Sequence, residues 1–262
     1  AEVQLPALPK IQLGWRVISG AVFLLSLAVI ISFTNLNSFK VNAIRLKGNN
    51  RLTAEIILSD IDILGKSIIK IVPRDLQAKI EQRFPSIKSA SLSVGLPASV
   101  NLEIIEREPV ILWQQDSEEY WIDAEGVSFP IFGEAELASS VFASGNPPPS
   151  EVEITSEETS ETDARIALLT PTLTNTTPEF VAAVLSIIDY VPPETALQFD
   201  PNFGLGWRDP RGWVVYFGRG SDNIDTKLAQ YQTITRVLEQ KNISPALISL
   251  EFLHAPYYRM EQ

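Results

Sequence analysis

Cysteine is absent from this chain, and histidine occurs only once, as His254. Without cysteine there is no disulfide, no thiol nucleophile and no Cys-based metal site, and one imidazole excludes any site that needs two. Gly204-Leu205-Gly206 lacks the further glycine and the strand-to-helix setting of a phosphate-binding loop. A basic patch with interleaved aromatic residues, typical of nucleic-acid binding, is missing as well. These absences argue against thiol catalysis, a metal site with two histidines, nucleotide binding and nucleic-acid binding.

The 262 residues are enough for one or two domains with a real core and no disulfides. The net charge of −11 is local, because residues 110–163 alone carry −13. Glutamate, serine, threonine and proline dominate residues 134–177, a composition that buries too little apolar surface to fold. We therefore expect a flexible acidic insertion at about 134–177, with a specific acidic interaction surface as the alternative.

One long uncharged apolar run lies near the N-terminus, VISGAVFLLSLAVIISF from Val17 to Phe33. Extended to Leu36, it makes a helix of about 30 Å, which matches the hydrocarbon core of a bilayer. A signal peptide is the competing interpretation, but no small-x-small cleavage site follows the run. The sequence predicts an uncleaved transmembrane helix at 17–36, preceded by a tail at 1–16.

Charge does not decide the orientation of this helix. Four cations follow it within about twenty residues, Lys40, Arg45, Lys47 and Arg51, against two cations before it. Counting positive charges therefore does not by itself place the N-terminus in the cytoplasm. Large domains also cross membranes largely regardless of such charges, so the count leaves the orientation open.

Residues 39–109 predict two helices packed on a small sheet, in the order β-α-α-β-β. Apolar residues recur at helical spacing after Thr53, and Pro73 to Phe84 has a second such stripe. Two runs with alternating apolar residues then read as a hairpin, Ile87 to Val94 and Ser99 to Glu106. The rest of the chain predicts a helix from 178, a hairpin around 205–217, a helix from 224 and a last strand at 246–253.

These stretches together resemble FtsQ/DivIB, a family of bitopic bacterial cell-division proteins with a polypeptide-transport-associated (POTRA) domain. The resemblance rests on Lys47-Gly48-Asn49, on PSIKSASLSVGLPASVNLEIIEREPVILW from Pro85 to Trp113, and on YWIDAEGVSF from Tyr120 to Phe129. It covers the apolar run, residues 39–129 and, more loosely, residues 178–258.

The resemblance implies an α+β fold: a transmembrane helix, a POTRA domain at 39–109, and a β-rich domain with flanking helices at 110–262. It places the N-terminal tail in the cytoplasm and the domains outside the plasma membrane, at the division septum. The implied function is that of a non-enzymatic divisome scaffold that binds membrane proteins of the FtsB and FtsL type. No cofactor, metal, nucleic acid or small-molecule substrate is expected.

The C-terminal strand is the predicted partner-binding element. A strand at a sheet edge exposes unpaired N–H and C=O groups, to which a partner can add a strand of its own. The predicted partner-binding residues are Ile248, Leu250, Phe252, Tyr257 and Tyr258. The alternative is that the first three are core residues and only the two tyrosines are exposed.

Two other functions compete with this interpretation. POTRA domains also serve envelope protein transport, but those proteins continue into a barrel of many alternating strands. An envelope enzyme would need a nucleophile or metal constellation that the residues do not supply. Asp123 and Glu125 suggest an acid and base pair, yet they lie in a stretch typical of a turn between strands.

Overall fold

The computed structural model describes residues 13–35, 39–61, 63–95, 98–116, 118–149 and 173–260. The predictions for the tail up to residue 12 and for residues 150–172 of the acidic stretch lie outside the described residues. The described part contains five α-helices and twelve strands, so the predicted α+β class is confirmed. It divides into two compact units, one of residues 1–48, 54–80 and 90–104 and one of residues 49–53, 81–89 and 105–262.

The first helix, α1 (Leu13–Asn35), is 23 residues long and uncharged apart from Arg16. Its window Gly14–Ile31 has a mean hydropathy of 2.0, and none of that window is buried. Among the described residues it is the one helix long and apolar enough to cross a membrane, although a signal sequence has the same properties. The described helix starts at Leu13, four residues before the predicted start at residue 17.

The elements that follow α1 form a three-stranded sheet with helices, in the predicted order β-α-α-β-β. They are β1 (Ala43–Lys47), α2 (Ala54–Asp60), a 3₁₀ turn (Ile68–Lys70), α3 (Pro73–Arg83), β2 (Ile87–Gly95) and β3 (Ser99–Glu106). The sheet order is β1-β3-β2, with β1 parallel to β3. Strand β3 alternates buried and exposed residues, so Val100, Leu102 and Ile104 lie in the core.

Gly48 explains why the chain turns directly after β1. Its φ is +84°, and a Cβ at this position would collide with the carbonyl oxygen of Ile104. A side chain is therefore excluded both by backbone conformation and by space. The Lys47-Gly48-Asn49 motif marks a place where the chain needs glycine.

The second unit is built on a nine-stranded sheet whose order is β12-β11-β10-β9-β8-β7-β4-β5-β6. Strand β7 pairs in parallel with β4 and β8, and β10 pairs in parallel with β11; the other pairs are antiparallel. The elements are β4 (Pro109–Gln115), β5 (Glu118–Asp123), β6 (Ser128–Phe129), β7 (Ser139–Ala143), α4 (Pro178–Ile188), β8 (Leu197–Asp200), β9 (Gly204–Arg208), β10 (Val214–Tyr216), α5 (Ile224–Gln240), β11 (Leu247–Ser249) and β12 (Tyr257–Arg259).

Two aromatic groups fill the core between this sheet and its helices. In one group Phe180 of α4 packs on Phe199 at 5.7 Å between ring centroids, and Phe199 packs on Trp113 at 5.2 Å. In the other, Tyr231 of α5 meets Trp207 edge to face at 5.3 Å. Edge-to-face and offset rings are the favoured arrangements, and each such residue buries a large apolar area. Each helix is thus fixed to the sheet by an aromatic residue.

Strand β7 corrects the interpretation of 134–177 as one flexible insertion. Ser139–Ala143 lies inside that stretch but forms a central strand, and Val141 is fully buried. The short run Ser-Ser-Val-Phe-Ala forms a strand with Ser139 and Val141 buried on one face, even though acidic and polar residues dominate the sequence around it. Thr176, near the end of the same stretch, is buried as well.

Candidate partner-binding site

The C-terminal end of the sheet differs from the single strand predicted at 246–253. Strand β11 has only three residues, lies between β10 and β12, and is therefore internal. After Ser249 the Leu250 N–H still donates to the Tyr216 carbonyl at 2.8 Å, and the chain then leaves the sheet. It returns at Tyr257 as β12, which forms the edge in place of the predicted strand.

The structure separates the five predicted partner-binding residues into two groups. Ile248 and Leu250 are fully buried members of the core cluster and offer no surface to a partner. Phe252 is 62% exposed and lies in the loop after β11, outside any strand. Tyr257 and Tyr258, 38% and 48% exposed, lie in the edge strand itself. The surface available to a partner therefore consists of Phe252 and the two tyrosines.

The pairing of β12 with β11 fixes the directions of the two tyrosines. Tyr258 lies opposite Ile248, and directly opposed residues of an antiparallel pair share one face of the sheet. Because Ile248 belongs to the core beneath α5, Tyr258 lies on the helix-covered face. Tyr257 lies opposite Ser249, on the other face, where the Arg259 guanidinium is 5.6 Å from its ring centre.

An apolar groove of about 270 Å³ runs between α5 and β12. The groove is lined by Tyr257 and Tyr258 of β12 on one side and by Ile234 and Val237 of α5 on the other, with Ile248 of β11 between them. Val237 is 42% exposed, so apolar surface remains open to solvent directly beside an edge strand. Such a groove offers a binding site for a large apolar side chain next to unpaired backbone groups.

A buried hydrogen-bond network ties α5 to the turn between β9 and β10. The Asp209 carboxylate, 2% exposed, accepts from the Tyr231 hydroxyl at 2.6 Å and from two guanidinium nitrogens of Arg211 at 2.7 and 2.9 Å. The Trp213 indole N–H donates to the Tyr231 hydroxyl at 3.2 Å, and Arg211 also donates to Glu239 of α5 at 2.6 Å. The network holds in place the helix that forms one wall of the groove.

The network shifts the pKa values of its members. Burial acts to raise the pKa of Asp209, but the hydrogen bonds from Arg211 and Tyr231 outweigh it, and the pKa is lowered. Burial, followed by the hydrogen bond to the Asp209 carboxylate, raises the pKa of Tyr231. Near neutral pH the network therefore consists of a carboxylate, a guanidinium and a neutral phenol.

The carboxylates that suggest acid and base catalysis are engaged in ion pairs. Arg107 donates to Asp123 at 2.7 Å and to Glu125 at 3.0 Å, and Lys88 donates to Glu125 at 2.6 Å. Asp123 also accepts from the backbone N–H groups of Glu125 and Val127, as a turn residue does. The hydrogen bonds from Lys88 and then Arg107 lower the pKa of Glu125. Asp123 and Glu125 therefore stabilise the turn between β5 and β6, and the sequence of this stretch is typical of such a turn.

Comparisons with known proteins agree with this architecture. A family model described as POTRA domain, FtsQ-type, matches residues 39–107. Residues 39–107 are a POTRA domain of the FtsQ type. The resemblance predicted from the sequence is confirmed.

Three relatives bear the name cell division protein FtsQ. The protein of Chloroflexus aurantiacus is 25% identical over 81% of this chain and 72% of its own length. That of Corynebacterium glutamicum is 24% identical over 80% of this chain and 86% of its own length. That of Chloroflexus aggregans is 30% identical, and its alignment spans 46% of this chain and about half, 47%, of that protein.

The last residues of the FtsQ-type POTRA domain have a structural role. The Glu106 side chain accepts hydrogen bonds from the backbone N–H groups of Asn50, Arg51 and Leu52 at 2.9 to 3.1 Å. Arg107 donates through Nε to the Pro85 carbonyl at 3.1 Å. Glu106 therefore holds the loop at residues 50–52 in place, and Arg107 holds the segment that precedes β2.

The sequence predicts only part of the groove. The helix predicted from 224 is present as α5, but Ile234 and Val237, which line the groove, are not among the predicted partner-binding residues. Both are apolar and three residues apart, so a second stripe beside the core stripe is the signal that could have found them. Pro256 is a further signal, because proline is tolerated at the start of an edge strand.

Proposed function

We propose that this protein is a non-enzymatic, single-pass membrane scaffold of the bacterial divisome, which binds proteins of the FtsB and FtsL type outside the membrane at the septum. The single observation that carries the binding role is the exposed edge strand β12 beside the open apolar groove. The relatives named cell division protein FtsQ support the divisome role. Helix α1 supports the membrane anchor, with the N-terminus in the cytoplasm as the family implies.

Binding proceeds by addition of a partner strand to β12. Main-chain hydrogen bonds along the edge supply affinity, and an apolar side chain of the partner enters the groove beside Tyr258. Full burial of one such side chain stabilises a complex by about 1.5 to 3 kcal/mol. Ile248 and Leu250 act from the core: they hold β11 in the sheet, and β11 in turn carries the edge strand.

A role without turnover fits the polar groups of the described residues. They contain no cluster of three or more His, Asp or Glu side chains placed to hold a metal. Asp123 and Glu125 are engaged by Arg107, and Asp209 is engaged by Arg211 and Tyr231. Each of these carboxylates stabilises local structure, which is the ordinary role of an ion-paired group.

Site-specific photocrosslinking in cells tests the binding surface. A photoreactive amino acid at Tyr258 should capture small membrane division proteins, whereas one at Asn202, in the exposed turn between β8 and β9, should not. Tyr258→Glu should abolish capture without loss of folding, because it puts a charge at an exposed groove wall. A folded Tyr258→Glu variant that still captures these partners contradicts docking at β12.

Imaging tests the divisome role separately. An N-terminal fluorescent fusion should form a ring at midcell, and depletion of the protein should give filamentous or enlarged cells. Uniform envelope fluorescence with normal division would instead favour an accessory of envelope protein transport.

A further inference from the structure

The FtsQ-type POTRA domain carries a surface that combines lysines with exposed apolar residues. Leu64 and Ile69 are 57% and 56% exposed, while Ile68 between them is buried in the core. Lys40, Lys66 and Lys70 are exposed as well. We call Lys40, Leu64, Lys66, Ile69 and Lys70 the basic-apolar patch.

Backbone pairing holds the two segments of the patch together. Lys40 and Ser67 form an antiparallel bridge, the Val41 N–H donates to the Lys66 carbonyl at 3.0 Å, and the Gly65 N–H donates to the Val41 carbonyl at 2.8 Å. Lys40 is the patch residue nearest in sequence to the apolar run. The backbone pairing fixes it beside the 64–70 segment. The patch is one continuous surface built from two parts of the chain.

The length of the chain places this patch near the end of α1. Helix α1 ends at Asn35, five residue steps before Lys40. Five fully extended residues span at most about 18 Å, whatever path they take. The headgroup layer on each side of a bilayer is about 5 to 8 Å thick. A membrane-inserted α1 therefore keeps Lys40, and with it the paired 64–70 segment, close to the headgroup layer.

The charge of the two segments is of one sign. Residues 39–48 contain Lys40, Arg45 and Lys47, residues 63–74 contain Lys66, Lys70 and Arg74, and neither segment contains Asp or Glu. The nearest acids in the sequence, Asp62 and Asp75, lie just outside the second segment. Clusters of lysine and arginine beside a membrane helix bind anionic lipid headgroups, and exposed apolar side chains insert at the headgroup boundary.

We propose that the basic-apolar patch binds the surface of an anionic membrane, with Leu64 and Ile69 inserted at the headgroup level and Lys40 and Lys70 paired with lipid phosphates. The inference rests on the membrane anchoring of α1 given under the proposed function. It also assigns a role to Lys40, the first of the four cations that follow α1. The POTRA domain is then held against the bilayer rather than free on its tether.

The absence of cysteine makes a clean test possible in the full chain. An environment-sensitive fluorophore is attached to Ile69→Cys or, as a control, to Ser91→Cys, an exposed position on β2 at the opposite edge of the small sheet. Each protein is reconstituted through α1 into vesicles that contain a nitroxide lipid quencher. The vesicles are either zwitterionic or about one third phosphatidylglycerol.

In the anionic vesicles, quenching at residue 69 should exceed quenching at residue 91 by at least about threefold. The excess should be lost in zwitterionic vesicles, in high salt, and in the Lys40→Gln, Lys70→Gln double variant. Equal quenching at the two positions overturns the proposal. Excess quenching at residue 69 that is the same in anionic and zwitterionic vesicles overturns it as well. Shielding of residue 69 in native membranes but not in vesicles would assign the patch to a partner protein instead.

Failure of the anchor is distinguishable from failure of the patch. Protein that is released from the vesicles by an alkaline wash contradicts the membrane anchoring of α1 itself. Protein that stays in the vesicles but shows no excess quenching at residue 69 contradicts the patch alone. Thermal unfolding of the lysine double variant shows whether its fold is intact.

Discussion

The two edges of the nine-stranded sheet are treated in opposite ways. At one edge, Ser128 and Phe129 of β6 are each 2% exposed. The chain around residue 175 covers this edge: the Asn175 side chain accepts from the Ser128 N–H at 2.9 Å, and the Thr174 carbonyl accepts from the Ser128 hydroxyl at 2.8 Å. At the other edge, all three residues of β12 are exposed.

Exposed strand edges invite unwanted pairing, and proteins usually cover or shorten them. This chain covers β6 with residues of the acidic stretch and leaves β12 open, beside an apolar groove. One edge of the sheet, β6, is therefore protected from pairing with another strand, and the other edge, β12, is not. An edge left open next to apolar surface is one to which a partner can add a strand, and this is the observation behind the proposed function.

Breaking the strand that joins the two halves of the sheet should have the largest effect on stability. Val141 of β7 is fully buried, and its neighbour Phe142 is 49% exposed on the other face. We expect Val141→Asp to cost more than about 4 kcal/mol, because it buries an unpaired charge. Phe142→Asp is the matched control and should cost less than about 1 kcal/mol. Similar unfolding midpoints in denaturant for the two variants would contradict the central place of β7.

Removing the support of the open edge should have the next largest effect. Asp209→Ala leaves the Tyr231 hydroxyl and the Arg211 guanidinium without their buried acceptor, so we expect a loss of about 2 to 3 kcal/mol. Asp222→Ala, at an exposed position, should change stability by less than about 0.5 kcal/mol. The free energy of unfolding from urea titration measures both. A loss as small as that of the control would mean that the network does not hold α5.

The same network predicts a dependence of stability on pH at both ends of the scale. Because folding lowers the pKa of Asp209, its contribution is present above the ordinary value of about 4 and is lost as the pH falls. Because folding raises the pKa of Tyr231, its contribution is present below about 10 and is lost as the pH rises. Asp209→Ala should flatten the acid side of the curve, and Tyr231→Phe the alkaline side.

Uncovering the protected edge should have a smaller effect. Asn175→Ala removes the acceptor of the Ser128 N–H, and an unsatisfied buried donor costs about 1 to 2 kcal/mol. The loosened edge should also increase self-association, which light scattering detects. Asn202→Ala in the exposed turn is the control. No change in either stability or association would show that residues 173–177 do not protect β6.

Both helices that pack on the nine-stranded sheet, α4 and α5, follow from apolar periodicity, because their buried residues lie on one stripe. Phe180, Val184 and Ile187 of α4 are spaced in this way, and Thr177 caps the helix by accepting from the Phe180 N–H at 3.2 Å. Strand β7 is missed because a run of five residues that begins with two serines is too weak a strand signal against an acidic background. Its place in the sheet depends on parallel pairing with β4 and β8, which are distant in sequence.

The site is only partly predictable for a similar reason. Alternation runs from Ile248 through Leu250 to Phe252, so the sequence favours one continuous strand. The ladder ends earlier because β10, the neighbour of β11, stops at Tyr216. Beyond Leu250 the backbone has no strand beside it, and Phe252 turns into solvent. The length of a strand is set by its neighbours, which a local pattern does not record.

The two tyrosines of β12 give the sharpest test of why that edge is open. They are adjacent, similarly exposed and both border the groove, but the Tyr258 side chain shares the groove face with Ile248, whereas the Tyr257 side chain shares the opposite face with Ser249. Each change to alanine should alter stability by less than about 1 kcal/mol, because neither side chain is in the core. Tyr258→Ala should nevertheless weaken partner capture at least tenfold, about 1.4 kcal/mol, whereas Tyr257→Ala should retain most of it. Equal losses for the two variants would mean that the partner binds the strand edge without using the groove, and a greater loss for Tyr257→Ala would place the partner on the opposite face.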